Sequence, residues 1–182
     1  MRKHRFTLSH ALIFAAASLL SGASLAQEVS LPGGASTLRE AHGDWTVTCA
    51  IQTGQDGSRT KLCALSQEQL QQRTRQRVLA IELRPESEGV KGTLVLPFGL
   101  ALDSGAAYQL DEGEAGAPQR FRTCMPAGCL IGIDFDARTI ASLTAGKALK
   151  VKATADGGQE MNFSITLAGF SSAYARVVAL SN

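Results

Sequence analysis

The chain has 182 residues, a formal charge of +2 from 18 Lys and Arg against 16 Asp and Glu, and four cysteines. A length of this order supports one domain with its own core and not comfortably two. A balance this close to neutral argues against nucleic acid and anionic membrane surfaces as main partners, because both demand clustered Lys and Arg.

The first predicted element is a cleavable export signal over residues 1–26. Arg2, Lys3 and Arg5 form a basic start, an apolar run extends from Ala11 to Leu20, and Ser24-Leu25-Ala26 is a small-x-small cleavage site. The run is shorter than the roughly 20 apolar residues a membrane span requires. No cysteine stands at the cleavage site to take a lipid. The expected mature chain has no transmembrane segment and is periplasmic, secreted or associated with the cell surface. Cleavage near Ala26 removes three basic residues and no acidic one, so the mature charge turns slightly negative. It also removes His4 and His10 and leaves His42 as the one histidine.

Residues 27–41 contain Leu31-Pro32-Gly33-Gly34-Ala35-Ser36 and read as a flexible tether, with the folded domain at 42–182. Trp45 to Ile51 alternates Trp45, Val47 and Cys49 against Thr46 and Thr48, the period of a half-buried strand. Turn chemistry at Gly54 to Ser58 and a second alternating run at Lys61 to Ser66 predict a hairpin. Gln67 to Arg77 is polar nearly throughout and is assigned no regular structure. Strands are expected at Val78–Leu83, Gly92–Leu96, Ala106–Leu110, Arg120–Cys124 and Leu130–Phe135. Pro85 with the residues to Gly89 and Pro97-Phe98-Gly99-Leu100 supply stops. Asp136 offers an N-cap for a short helix bearing Ile140 and Leu143, stopped by Gly146 at C′. Leu149–Thr154 and Met161–Leu167 flank the turn Asp156-Gly157-Gly158. Phe170, Tyr174, Val177 and Val178 then fall at helical spacing. About nine short strands at roughly ten-residue spacing predict an all-β antiparallel sandwich or barrel with one or two short helices.

The cysteines dominate the candidate chemistry. In an exported chain an even count reads as disulfides, and four cysteines permit three pairings. The local pairing, Cys49 with Cys63 and Cys124 with Cys129, has the lowest closure demand, and Met125-Pro126-Ala127-Gly128 supplies a turn for the second pair. Their spacings do not match zinc knuckles or a redox C-x-x-C motif. No cofactor is implied. Trp45 reads as core, with a ligand-stacking platform as the alternative. His42, next to Gly43-Asp44, reads as a surface residue, the alternative being a base oriented by a carboxylate. Glu82, Asp103, Asp111, Glu112, Glu114, Asp134 and Asp136 show no spacing that singles out an acid–base pair, and Asp111-Glu112-Gly113-Glu114 reads as a solvated turn. Arg73, Arg75 and Arg77 share one face if extended, as an acidic-partner site or as a solvated edge that blocks aggregation. Phosphate loops, dinucleotide fingerprints and G-x-S-x-G elbows are absent, and no catalytic residue is assigned.

Gly43-Asp44-Trp45-Thr46-Val47-Thr48-Cys49, then Cys63, Leu96-Pro97-Phe98-Gly99-Leu100 with Leu102, and Phe121-Arg122-Thr123-Cys124 through Gly128-Cys129 together resemble the invasion-associated locus B family. The ending Phe163 to Phe170 with Ala173 is similar to that family's C-terminal signature. The resemblance covers about Gly43 to Val178. It implies an exported Gram-negative protein, mostly alphaproteobacterial, with an immunoglobulin-like β-sandwich and a name tied to host-cell invasion. It carries over the cysteine positions and no catalytic residues.

The resulting expectation is a non-enzymatic protein that binds an unknown macromolecule, an envelope or host protein, and supports host-cell invasion or envelope integrity. The alternative is an inhibitor or sequestering module for an envelope hydrolase such as a lysozyme or protease. The loop Met125, Pro126, Ala127 and Gly128 is the candidate partner-binding element in both readings.

Overall fold

The structure is a computed structural model and describes residues 29–182. The proposed export signal lies outside the described residues. The described residues form ten strands and two α-helices, all strand pairs being antiparallel.

The chain first lays down a meander. β1 (Thr37–His42), β2 (Trp45–Thr53), β3 (Arg59–Leu70), β4 (Arg77–Glu86) and β5 (Gly89–Leu96) pair in sequence order. β7 (Phe121–Met125) and β8 (Gly128–Asp136) complete a seven-stranded sheet in the order β1-β2-β3-β4-β5-β8-β7. A three-stranded sheet, ordered β10-β9-β6, is built from β6 (Ala106–Leu110), β9 (Ala148–Thr154) and β10 (Glu160–Thr166). Two helices, α1 (Ala137–Ala145) and α2 (Phe170–Ser181), complete the fold. Of the sandwich or barrel that the strand pattern predicts, the structure is the sandwich.

The core forms because alternation puts one face of each strand inside. Trp45, Val47 and Cys49 on β2 align with Cys63 and Leu65 on β3, then with Leu79, Ile81 and Leu83 on β4, and all are buried. Val90, Leu94, Leu96, Ile131, Ile133 and Phe135 extend that face across β5 and β8. The smaller sheet answers with Leu149, Val151, Phe163 and Ile165, and α2 with Phe170, Ala173, Val177 and Leu180. Trp45, 1% exposed, meets Phe170 edge-on at 5.1 Å and donates its indole N–H to the Thr166 carbonyl at 2.9 Å. Both halves of its amphipathic ring are thereby satisfied, and Trp45 is core rather than a stacking platform. Gln67 is buried and donates to the same carbonyl at 3.0 Å, while Gln69 donates to the Ser164 carbonyl at 2.7 Å. These amides fasten β3 to the edge strand β10.

Three expectations are corrected. The segment 27–41 is not a tether over its described part. Leu31 is 3% exposed, Pro32–Gly34 forms a 3-10 turn, and β1 pairs with β2 from Thr37↔Ala50 to His42↔Trp45. The low-complexity composition hid a strand whose partner, not its own apolar content, holds it. Gln67 to Leu70 is likewise strand, since β3 runs on to Leu70. Its polar residues are amides that reach the second sheet, a contact no alternation pattern reveals. Gly146 does stop α1, but as its C-cap rather than at C′, with an extended backbone (φ −80°, ψ 174°). A Cβ there would stand 2.6 Å from Leu110 Cδ1 and 3.1 Å from Leu167 Cδ1, so the glycine is packed against two leucine side chains. The N-cap is as expected: the Asp136 carboxylate accepts from the Thr139 backbone N–H at 2.7 Å, which holds its carboxyl below the usual range.

Candidate interaction surface

Both disulfides are local: Cys49–Cys63 joins β2 to β3 and Cys124–Cys129 joins β7 to β8. Each joins a pair of residues that directly oppose one another across the ladder. Cys49 and Cys63 lie in the core at 0% and 7% exposure. Cys129 is buried, but Cys124 is exposed. The second bridge therefore fixes a surface turn, Pro126-Ala127, with Met125 and Gly128 paired across its base.

Gly128 is required at that base. Its φ is 133°, and a Cβ there would collide with the Leu96 carbonyl and stand 2.8 Å from Val95 Cγ1. The turn is thus pressed against the end of β5. Leu96 pairs with Cys129, so Pro97 and Phe98 leave the sheet beside the turn. Phe98 is 60% exposed and Met125 53%, the two most exposed large apolar side chains among the described residues.

A third loop ends at the same end of the sheet. Gln71 to Gln76 links β3 to β4 and is closed by backbone bonds from Gln71 N–H to Gln76 and from Arg75 N–H to Gln71, at 2.8 and 2.9 Å. Arg75 sits in the left-handed region at φ 59°. Arg73, Arg75 and Arg77 therefore do not share one extended face, and only Arg77 begins a strand. Arg77 pairs with Glu68 at 2.6 Å and reaches the Ala127 carbonyl at 3.4 Å, joining this loop to the disulfide-closed turn. Arg73 and Arg75 stay exposed nearby. Of this group the sequence singled out the 125–128 turn and the arginines. Phe98 was visible only as part of a turn motif. Its signal was an aromatic between Pro97 and Gly99 with no alternating apolar neighbour to bury it.

His42 is half-buried and not a bare surface residue. Its Nδ1 lies 3.2 Å from Ser172 Oγ, and its Nε2 lies 3.5 Å from Glu40 Oε2. The residue types are those of a nucleophile, a base and a carboxylate, but the surroundings differ from such a site. Arg176 donates to both Glu40 oxygens at 2.7 and 2.8 Å and holds that carboxyl below its usual range. The Ser172 hydroxyl also reaches the Gly169 carbonyl at 3.0 Å. A carboxylate held by a guanidinium is a weak orienter for a base, and the set joins β1 to α2 instead. Gly169 lies in the same seam. It is left-handed at φ 89°, and a Cβ there would collide with the His42 carbonyl.

The remaining carboxylates have separate tasks. Asp111, expected as a solvated turn, accepts from the backbone N–H groups of Lys147 and Ala148 at 3.0 and 2.8 Å and so pins the start of β9. Glu112 pairs with Lys150 at 2.6 Å and Glu82 with Arg84 at 2.8 Å. Among the described residues, no three His, Cys, Asp or Glu side chains stand together as a metal-binding group. No helix among them is long and apolar enough to cross a membrane.

The sequence pattern that defines the invasion associated locus B (IalB) proteins matches residues 45–178. An invasion protein B homolog of Brucella abortus (strain 2308) is 43% identical over 183 residues, covering 100% of this chain and 99% of that protein. Invasion protein B of Bartonella bacilliformis is 34% identical over 175 residues, covering 88% and 91%. The crystal structure of invasion associated protein B from Bartonella henselae superimposes with a TM-score of 0.70 at 35% identity, covering 79% of this chain and 96% of that one. These relatives are named as invasion proteins and not as enzymes. With the pattern spanning most of the chain and full-length relatives sharing its sequence, the chain belongs to the invasion associated locus B family.

Proposed function

We propose that the chain is an exported, non-enzymatic envelope protein that binds a macromolecular partner through the end of its seven-stranded sheet. One observation carries this reading: Phe98 and Met125, two exposed apolar side chains, flank a turn made rigid by Cys124–Cys129. Aromatic, Met and Arg side chains are the types enriched in protein interfaces, and a turn that is already ordered loses little freedom on binding. Arg73 and Arg75 beside them favour an acidic partner surface around an apolar pocket. The disulfides and the basic and apolar start of the chain support export to the periplasm or cell surface. The names of the relatives make host-cell invasion the process this binding would serve.

The test is a crosslinking pull-down from intact envelopes and from host-cell surfaces, comparing the wild type with a Phe98→Ala/Met125→Ala variant. A defined partner that the variant loses by about thirtyfold or more in affinity, with unfolding unchanged, is expected. Equal recovery by both proteins would exclude this surface. The inhibitor alternative rests on the same rigid turn and predicts loss of lysozyme or protease activity on addition of the wild type and not of the variant.

A further inference from the structure

A second concavity lies away from that end, between α1 and the three-stranded sheet. It is a cavity of about 400 Å³, within the range of about 300–1,000 Å³ usual for small-ligand sites. Tyr108, Leu110, Phe135, Leu143 and Leu149 supply an apolar lining. Polar groups stand around it: Arg138 and Ser142, one turn apart on the exposed side of α1, and Glu114 from the loop after β6. Arg138 and Glu114 form no salt bridge among the described residues.

The Tyr108 hydroxyl makes this cavity unusual. Its ring packs edge-on against Phe135 at 5.5 Å, and its oxygen is buried with no hydrogen-bond partner. Burial also drives the phenol well above its ordinary ionisation range, so it remains an O–H donor. A buried donor without an acceptor is destabilising, because its lost hydration is not replaced. The segment beside it is tied back to β6: the Gly116 N–H donates to the Tyr108 carbonyl at 2.8 Å, the Gly113 N–H to the Leu110 carbonyl at 2.9 Å and Gln109 Nε2 to the Gly113 carbonyl at 2.6 Å, and Ala115 bridges to Gln109. An incoming group therefore reaches the enclosed hydroxyl only by displacing this loop from β6.

From these features we infer a binding site for a small amphipathic acid. The apolar body lies on the aliphatic and aromatic lining, the anionic head is held by the Arg138 guanidinium, and a head oxygen accepts from the Tyr108 hydroxyl as the Glu114–Gly116 segment shifts. An apolar lining with a few convergent polar groups is the general composition of such sites. Arginine is the side chain best suited to a carboxylate or sulfonate head.

The experiment titrates the full-length exported chain with decanoate, and in parallel with decanol, observing methyl NMR signals. Saturable shifts confined to the methyls of Leu110, Leu143 and Leu149 are expected, with decanol binding about tenfold more weakly. Ser142→Phe fills the mouth from an exposed helix position without touching the core and should weaken decanoate at least tenfold. Arg138→Ala should bring decanoate down to the level of decanol. Tyr108→Phe should raise the unliganded melting temperature while weakening decanoate severalfold, a combination that a merely structural tyrosine would not give. Absence of saturable shifts, or shifts that Ser142→Phe leaves unchanged, would overturn the site. Equal decanoate affinity in Tyr108→Phe would remove the hydroxyl from it.

Discussion

Cys49–Cys63 and Cys124–Cys129 join neighbouring strands across paired positions with Cα atoms 4.1 and 3.9 Å apart, yet they act on different parts of the molecule. The first lies on the core face of β2 and β3, in line with Trp45, Val47 and Leu65. It holds the two strands on which α2 and the Gln67 and Gln69 amides rest. The second stands at the open end of β7 and β8, where Cys124 is an exposed residue and the enclosed turn meets solvent. There the core gains little from the bond, and the surface gains a fixed shape. A disulfide's role therefore follows from what its loop faces, not from the bond.

The largest effect expected from this contrast is on stability. Replacing Cys49 and Cys63 together by Ala removes a loop constraint of about 3 kcal/mol and leaves small voids in the core. Urea unfolding should show that loss or more, with partner binding retained in whatever fraction stays folded. Replacing Cys124 and Cys129 by Ala frees a shorter loop worth about 2 kcal/mol. It should abolish partner capture while the core transition keeps its slope against denaturant. If the first pair governs binding or the second leaves it intact, the division between core staple and surface staple fails.

Gly128→Val tests the same turn without touching sulfur. A β-branched side chain at φ 133° against the Leu96 carbonyl is expected to cost about 1–3 kcal/mol and to misplace Met125. Retention of wild-type stability would mean that the turn is not pressed on β5.

The smallest expected effect concerns acid. Glu40 has its carboxyl lowered, first by the Arg176 hydrogen bonds. A carboxyl depressed in the folded state stabilises the fold above its unfolded value near 4 and loses that contribution as pH falls through the lower folded value. Wild-type melting temperature should therefore drop more steeply below about pH 4 than that of Glu40→Gln, with the two curves running parallel above about pH 5. Because the pair is partly exposed, salt should shrink the difference. Parallel curves throughout the acid range would show that the seam between β1 and α2 does not depend on this ion pair.

Much of the fold was legible because the information was local. Period-2 alternation in Trp45–Cys49, Leu79–Leu83 and Ile131–Phe135 reports one wet and one dry face, and the structure buries those residues. The Asp136 cap and the two local cysteine pairs were equally readable, since each depends on residues a few positions apart. What escaped was held from a distance. β1 is a strand because β2 pairs with it, and Gln67–Leu70 is strand because its amides meet carbonyls of β10 nearly a hundred positions later. Asp111 looked solvated because the two N–H groups it binds, those of Lys147 and Ala148 at the entry to β9, lie far along the chain.

Composition, alternation and cysteine spacing by themselves pointed to an antiparallel all-β sandwich or barrel with two local disulfides, and the structure has the sandwich and both bonds. They could do so because burial period and short-loop closure are properties of neighbouring residues. Only the tertiary structure decided that three loops distant in sequence meet at one end of a sheet, placing Phe98, Arg77 and the 125–128 turn together. Only it showed Glu40 held by Arg176 and the Tyr108 hydroxyl enclosed without a partner. Those facts arise from how the two sheets and two helices close on each other, and no local pattern encodes which polar group that closure leaves unpaired.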